Sequence, residues 1–312
     1  MAISIVKTPL QTQCFMAIFI VTEQKMFGLF DAIAEWFRGL LIDGIMHNFT
    51  GMFNDMNERV NEIAGQVGQT PQGWNAGVFN LVRTLSETVI IPIAGVILTF
   101  IVCYELIHLI IERNNMHEFD TFIIFKWIFK TFVAVWILTN TFDIVMAIFA
   151  LGQNAVNASA GIIGGGLVAD VALTELAAQL DAMGVGELIG LYFESAILRI
   201  VMNAISICVF LIIYGRMIEI YLTISIAPIP LSTMVNREWG SMGNNYLKAL
   251  FALAFQGFLI MVCVAIYAVL LQGITVAPSV HAAIWGVVGY TILLCFILFK
   301  TGSMSKALFG AH

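Results

Sequence analysis

The chain has 312 residues, of which 60% are hydrophobic and 11% are charged, and its formal net charge is −6 at pH 7. Soluble domains carry about a quarter charged residues, so this composition excludes an ordinary soluble domain and is typical of a polytopic membrane protein. The negative balance offers no broad basic surface for nucleic acid, so any such contact has to be local.

The amino-terminal part combines charge with helical periodicity. Residues 1–25 hold one apolar run that is too short to cross a membrane. The segment MFGLFDAIAEWFRGLLIDGIM follows from Met26 and places Phe30, Ile33 and Phe37 on one helical face, with its charges elsewhere. Charges this closely spaced exclude a span, so we expect an amphipathic helix at the membrane interface or against a partner helix.

Residues 48–80 are polar and contain a turn signal, which predicts a solvent-exposed connection. We therefore expect residues 26–88 to form an extracytoplasmic or interfacial segment.

A membrane domain is predicted at 89–299, followed by a tail at 300–312. It contains five apolar runs long enough to cross a hydrocarbon layer of about 30 Å, at about 89–111, 123–150, 193–215, 246–271 and 282–299. The sequence thus predicts an all-α membrane protein with about five transmembrane helices.

Lysine and arginine near the span ends predict the orientation, because basic residues favour the cytoplasmic side. With five spans, one side collects Arg113, Lys126, Lys130, Arg216, Arg237, Lys248, Lys300 and Lys306. We expect the amino terminus outside the cell and the carboxyl terminus in the cytoplasm.

Two prolines interrupt the apolar sequence after the third span, in the stretch APIPLSTMV. Pro228 and Pro230 lack backbone donors and disfavour helical geometry in the residues before them, so the helix should unwind around Ile226 on the cytoplasmic side. Unwound backbone has to lie against protein or water because lipid cannot satisfy its polar groups. We interpret Pro228 and Pro230 as a candidate gate or hinge.

Four charged residues fall within the predicted spans, where an unpaired ion costs several kcal/mol. Counting from the span ends places Glu105 and Lys130 at one depth and Asp143 and Arg199 at another. This predicts two ion pairs that join the second span to both neighbours. In the alternative interpretation, Lys130 and Arg199 extend towards nearby head groups.

No motif in the sequence indicates catalysis. The Glu105-Leu-Ile-His108 stretch resembles half of a dinuclear metal site, but the chain lacks a second Glu-x-x-His. Metalloprotease, serine hydrolase and phosphate-loop signatures are also missing. We expect a protein that is not an enzyme, with no catalytic residues, no cofactor and no metal. Four cysteines inside apolar runs are expected to pack as small apolar residues.

The stretch IIYGRMIEIYLTISIAPIPLSTMVNREWGSMGNNYLKALFALAFQGFLIMVCVAIYAV closely resembles the TrbL-like membrane subunits of conjugative type IV secretion systems of Gram-positive mobile elements. GQVGQTPQGWN, FKWIFK and LLCFILFKTGSMSKALFGAH match as well, and the resemblance runs from Met26 to His312. Relatives begin near Met26, so residues 1–25 are expected to be an extension that is either disordered or a start-site artefact.

The resemblance implies an oligomeric channel or scaffold subunit in the cell membrane. Its implied partners are lipid, further copies of the chain, other secretion subunits including ATPases and a coupling protein, and transient single-stranded DNA with its relaxase. Arg237, Glu238 and Trp239 are a candidate docking point for such a partner. The alternative is an aromatic-belt tryptophan with flanking interfacial charges.

Two other functions fit the sequence. A secondary transporter for a small solute would need a midplane site in discontinuous helices. A pure assembly scaffold would never contact the cargo.

Overall fold

The computed structural model describes residues 9–112, 121–163, 176–236, 238–272 and 280–311. Regular secondary structure in these ranges is helical throughout, which confirms the predicted all-α class. The helices are α1 (Pro9–Val67), α2 (Pro71–Trp74), α3 (Ala76–Leu85), α4 (Ile91–Glu112), α5 (Thr121–Thr139), α6 (Thr141–Ile163), α7 (Val185–Ser225), α8 (Pro228–Thr233), α9 (Gly240–Gln272) and α10 (Val280–Phe309). A π-helical turn, Ser86–Ile90, connects α3 to α4.

Within the described ranges, five helical stretches are long and apolar enough to cross a membrane, as the sequence predicts. They are Ala76–Ile111, Phe122–Thr139, Val185–Ser225, Gly240–Leu271 and Ile284–Phe309. The last two are the most enclosed, because α9 lies between α6 and α10.

The predicted second span, 123–150, is not one continuous helix, because the helix is interrupted at Asn140. Thr139, Asn140 and Thr141 each donate a side-chain hydrogen bond to a backbone carbonyl about one turn earlier. Such bonds compete with the backbone ladder and bend helices. Beyond the break, α6 packs against α9 so closely that a Cβ on Gly152 would lie 2.5 Å from the carbonyl oxygen of Ala254.

The predicted exposed connection at 48–80 is also wrong for residues 48–67, which continue α1. This part of α1 runs parallel to α7 and buries an apolar stripe against it. The stripe recurs at helical spacing: Leu41, Ile45, Phe49, Met52, Ile63 and Val67. The spacing of apolar residues decides whether the segment packs, and its mean hydropathy does not, because one apolar face is enough to bury a helix against a bundle.

The turn after α1 is fixed by side-chain caps. Thr70 Oγ1 accepts a hydrogen bond from the backbone N–H of Gly73, and Asn75 Oδ1 accepts one from Val78. Buried Tyr221 on α7 donates to the carbonyl of Pro71 at 2.6 Å. These bonds hold the start of α3 beside the final turns of α7.

Helices α4 and α5 pack against each other and against α8. Their buried contact is small and centres on Ala94, Leu98, Ala134 and Leu138. Most of their remaining surface is exposed and apolar. On α5 the exposed aromatic residues follow a heptad-like spacing: Phe122, Phe125, Phe129, Phe132 and Trp136. This hairpin therefore presents a surface suited to lipid.

Candidate functional site

The contact between α1 and α7 includes a polar network. Asn48 Nδ2 donates to Ser195 Oγ at 3.0 Å, and Arg199 Nη1 donates to Asn48 Oδ1 at 3.3 Å. One turn later the Arg199 guanidinium lies over Gly51, where a Cβ would approach it to 3.3 Å. These bonds fix the register of α1 on α7.

From residue 43 to residue 61, every described side chain of α1 that is exposed is polar. This exposed polar face comprises Asp43, His47, Asn54, Asp55, Glu58 and Asn61, with Asp55 at its edge towards α7. The neighbouring part of α7, residues 200–215, contains no charged residue and exposes Ile200, Ile207 and Leu211. A charged helix face and an apolar helix face therefore lie at the same height on the bundle.

A small open cavity, lined by both helices, shows that these two faces lie at the same height. Asp55 of α1 lines it together with Asn203 and Ser206 of α7. Its far wall includes Tyr267 and Thr291, whose hydroxyl groups are hydrogen bonded at 2.8 Å. Polar residues of four helices thus border a cavity whose lining is otherwise mostly apolar.

The structure brings Glu105 and Lys130 together. Lys130 Nζ on α5 forms an ion pair with Glu105 Oε1 on α4, and these side chains are 35% and 21% exposed. The pair therefore joins the two helices of the hairpin from a partly buried position.

The second predicted pair is not formed, because Asp143 and Arg199 lie on different sides of the bundle. Asp143 follows the break at Asn140 and lies within electrostatic reach of Arg83 at the end of α3. Arg199 faces α1 and uses Asn48 as its acceptor. Counting depth from the span ends requires 123–150 to be one straight helix, and the interruption at Asn140 means that it is not.

The proline segment breaks where the sequence predicts. Helix α7 ends at Ser225, and Pro228 and Pro230 open the short, buried helix α8. Helix α9 crosses this segment at Gly243, where a Cβ would lie 2.6 Å from the carbonyl oxygen of Pro230. The prolines are therefore enclosed by protein, in contact with α4, α5 and α9.

The predicted docking point is partly engaged within the chain itself. Glu238 accepts a hydrogen bond from the Tyr104 hydroxyl at 3.3 Å, and the Trp239 ring lies 6.0 Å from that of Phe100. Trp239 remains 45% exposed. Arg237 lies outside the described residues.

The distribution of basic residues predicts Arg216 at the cytoplasmic side, but its side chain points into the bundle. Its side chain lies among α1, α6, α7 and α9, and the residue is only 7% exposed. No local feature of the sequence distinguishes an arginine that faces a bundle from one that faces head groups.

Among the described residues, no group of three or more His, Cys, Asp or Glu side chains could hold a metal ion. Cys103, Cys208, Cys263 and Cys295 are free thiols there.

Apolar helices of spanning length, with polar groups enclosed among them, define a multi-pass membrane protein. A family model described as TrbL/VirB6 plasmid conjugal transfer like protein matches residues 56–228. The chain belongs to this family of conjugal transfer and secretion-system membrane subunits, and the family implies association with the other components of such a system. Comparisons with curated proteins and with solved structures found no match.

Proposed function

We propose that this chain is a channel subunit that helps to pass single-stranded DNA, with its attached relaxase, across the cell membrane. Its family supports a place in a conjugation machine. The observation that carries the channel role is the exposed polar face of α1 beside the apolar face of α7.

The physical argument concerns what can cover that face. A charged side chain at the centre of a bilayer costs about 2.5–3.5 kcal/mol on insertion scales. Contact with lipid is therefore unfavourable for Asp55 and Glu58. The apolar residues of α7 at the same height favour lipid. An oligomer resolves this conflict when α7 faces the bilayer and α1 faces a shared aqueous lumen.

Acidic groups in the lumen would keep its contacts with a polynucleotide cargo weak. Carboxylates repel phosphates, so the strand would pass with weak contacts that do not depend on its sequence. Energy would come from the ATPases and coupling protein of the system.

Other parts of the chain have supporting roles in this proposal. The amino terminus lies outside the cell and the carboxyl terminus in the cytoplasm. Pro228 and Pro230 act as a hinge at the cytoplasmic end of α7, and the exposed part of Trp239 docks a cytoplasmic partner.

Photocrosslinking in mating donor cells tests the channel role. A thiol-reactive photoprobe is attached at D55C in α1, and a matched variant carries it at I207C on α7. We expect transferring DNA to be recovered from the Asp55 position and not from the Ile207 position. Normal transfer with no DNA crosslinked at either position would favour the scaffold and contradict the channel.

A further inference from the structure

Arg216 is enclosed where α1, α6, α7 and α9 meet, and its hydrogen bonding is incomplete. Its Nη2 donates to the carbonyl of Leu253 at 3.3 Å. Its Nε is buried and has no acceptor within the described part of the chain. A guanidinium has five N–H donors, so most of its capacity here is unused.

The positive charge of Arg216 also lacks a dedicated counter-charge. Among the described residues, the carboxylate within electrostatic reach is Glu219, on the same helix. Glu219 is 48% exposed and binds Lys306 at 3.1 Å. Burying an unpaired charge costs several kcal/mol, so this arrangement needs a further negative group.

The carboxyl-terminal end of α1 supplies only part of that charge. Carbonyl groups at a helix end carry a partial negative charge and favour cations. Gly68, which follows the last residue of α1, already accepts a hydrogen bond from Gln153 Nε2 at 2.6 Å. The carbonyl of Gly68 is therefore already bonded to a neutral amide, and the Arg216 guanidinium still lacks an anionic partner.

A small cavity, with room for about one water-sized group, adjoins the guanidinium. Gln69 and Gln153 contribute amide groups to its lining, and Phe149, Val156 and Ile220 contribute apolar walls. Gln69 is exposed, so it marks the side from which solvent enters. A compact space with a buried cation and apolar walls fits one small anion and excludes a nucleotide.

Gly257 provides the room in which the guanidinium lies. A Cβ at this position would be 2.9 Å from Arg216 Nη2 and 3.0 Å from Val156 Cγ2. An alanine there would displace the guanidinium while its charge is retained.

We infer that Arg216 binds a small monatomic anion, of the size of chloride, in this cavity. The anion completes the hydrogen bonds of the guanidinium and ties the end of α1 to the other three helices. This inference does not depend on the proposed channel role, since it concerns only the packing of one chain.

Thermal unfolding of the full-length protein in detergent tests the site. Sodium gluconate, whose anion is too large for the cavity, is exchanged for sodium chloride or sodium bromide at constant ionic strength. We expect the small anions to raise the unfolding midpoint of the wild type by a few degrees and to saturate, as linkage requires. R216Q should abolish this response and G257A should weaken it.

The matched control is R83Q, which removes an exposed arginine that pairs with Glu87. It should keep the full response to small anions. An equal response in R216Q and wild type, or no response in wild type, would overturn the site.

Bromide anomalous scattering from wild-type crystals gives an answer even if the variants fail to fold. We expect an anomalous peak within hydrogen-bonding distance of Arg216. Crystals saturated with bromide that show only water there would contradict the inference.

Discussion

The ion pair between Glu105 and Lys130 gives a residue-scale prediction. K130E or E105K alone leaves two like charges between α4 and α5, which should destabilise the fold by about 2–3 kcal/mol, as for an intramembrane charge. The double variant K130E/E105K restores opposite charges and should recover most of that loss. The unfolding midpoint in detergent measures both effects.

The exposed pair of Arg83 and Glu87 is the matched control for this set of single and double charge reversals. These residues lie one turn apart on one helical stretch with both side chains about half exposed, so its reversal should change stability by no more than about 0.5 kcal/mol. A double variant no more stable than either single variant would show that the Glu105–Lys130 contact contributes nothing.

At this scale the sequence predicts a contact only where the local geometry is simple. Glu105 and Lys130 lie on two helices of one hairpin, so counting depth from the span ends was sufficient. The predicted pair of Asp143 and Arg199 is not formed, for two reasons. Depth does not give the rotation of a side chain about its helix axis, and the chain is interrupted at Asn140 before Asp143. Arg216 could not be assigned, since its environment comes from residues far away in the chain.

At the scale of elements, the close approach of α6 to α9 gives a second prediction. G152A places a methyl group against the backbone of α9, which cannot rotate away as a side chain can. We expect a loss of about 1–3 kcal/mol in the free energy of unfolding, as for other overpacked contacts.

Gly95 on α4 is the control, because a Cβ there meets nothing within 4 Å. G95A should be neutral or slightly stabilising, since alanine favours a helix. Similar unfolding midpoints for G152A and G95A would mean that α6 and α9 are not in contact as described.

Element boundaries follow from sequence where composition changes sharply. Long apolar runs predict five spans, and Pro228 and Pro230 predict the end of α7 because proline acts locally. The sequence does not predict the break at Asn140, because three short polar residues interrupt an apolar run without changing its average hydropathy. It predicts a connection at 48–67 because polar residues separate the members of the apolar stripe.

At the scale of the whole molecule, the polar face of α1 requires a different environment from the apolar face of α7. A single chain in a bilayer cannot satisfy both at the same height, so the exposed groups of α1 have to meet water or protein. The open cavity beside Asp55 lies on this boundary. The proposed oligomer follows from that conflict.

Cysteine accessibility in membranes of donor cells tests this central claim most directly. Single cysteines replace Asp55 and Glu58 on α1, and Ile200 and Ile207 on α7, in a chain otherwise free of cysteine. We predict that a membrane-impermeant thiol reagent labels both α1 positions and neither α7 position. Unreactive α1 positions, or α7 positions that react equally well, would contradict an aqueous lumen lined by α1.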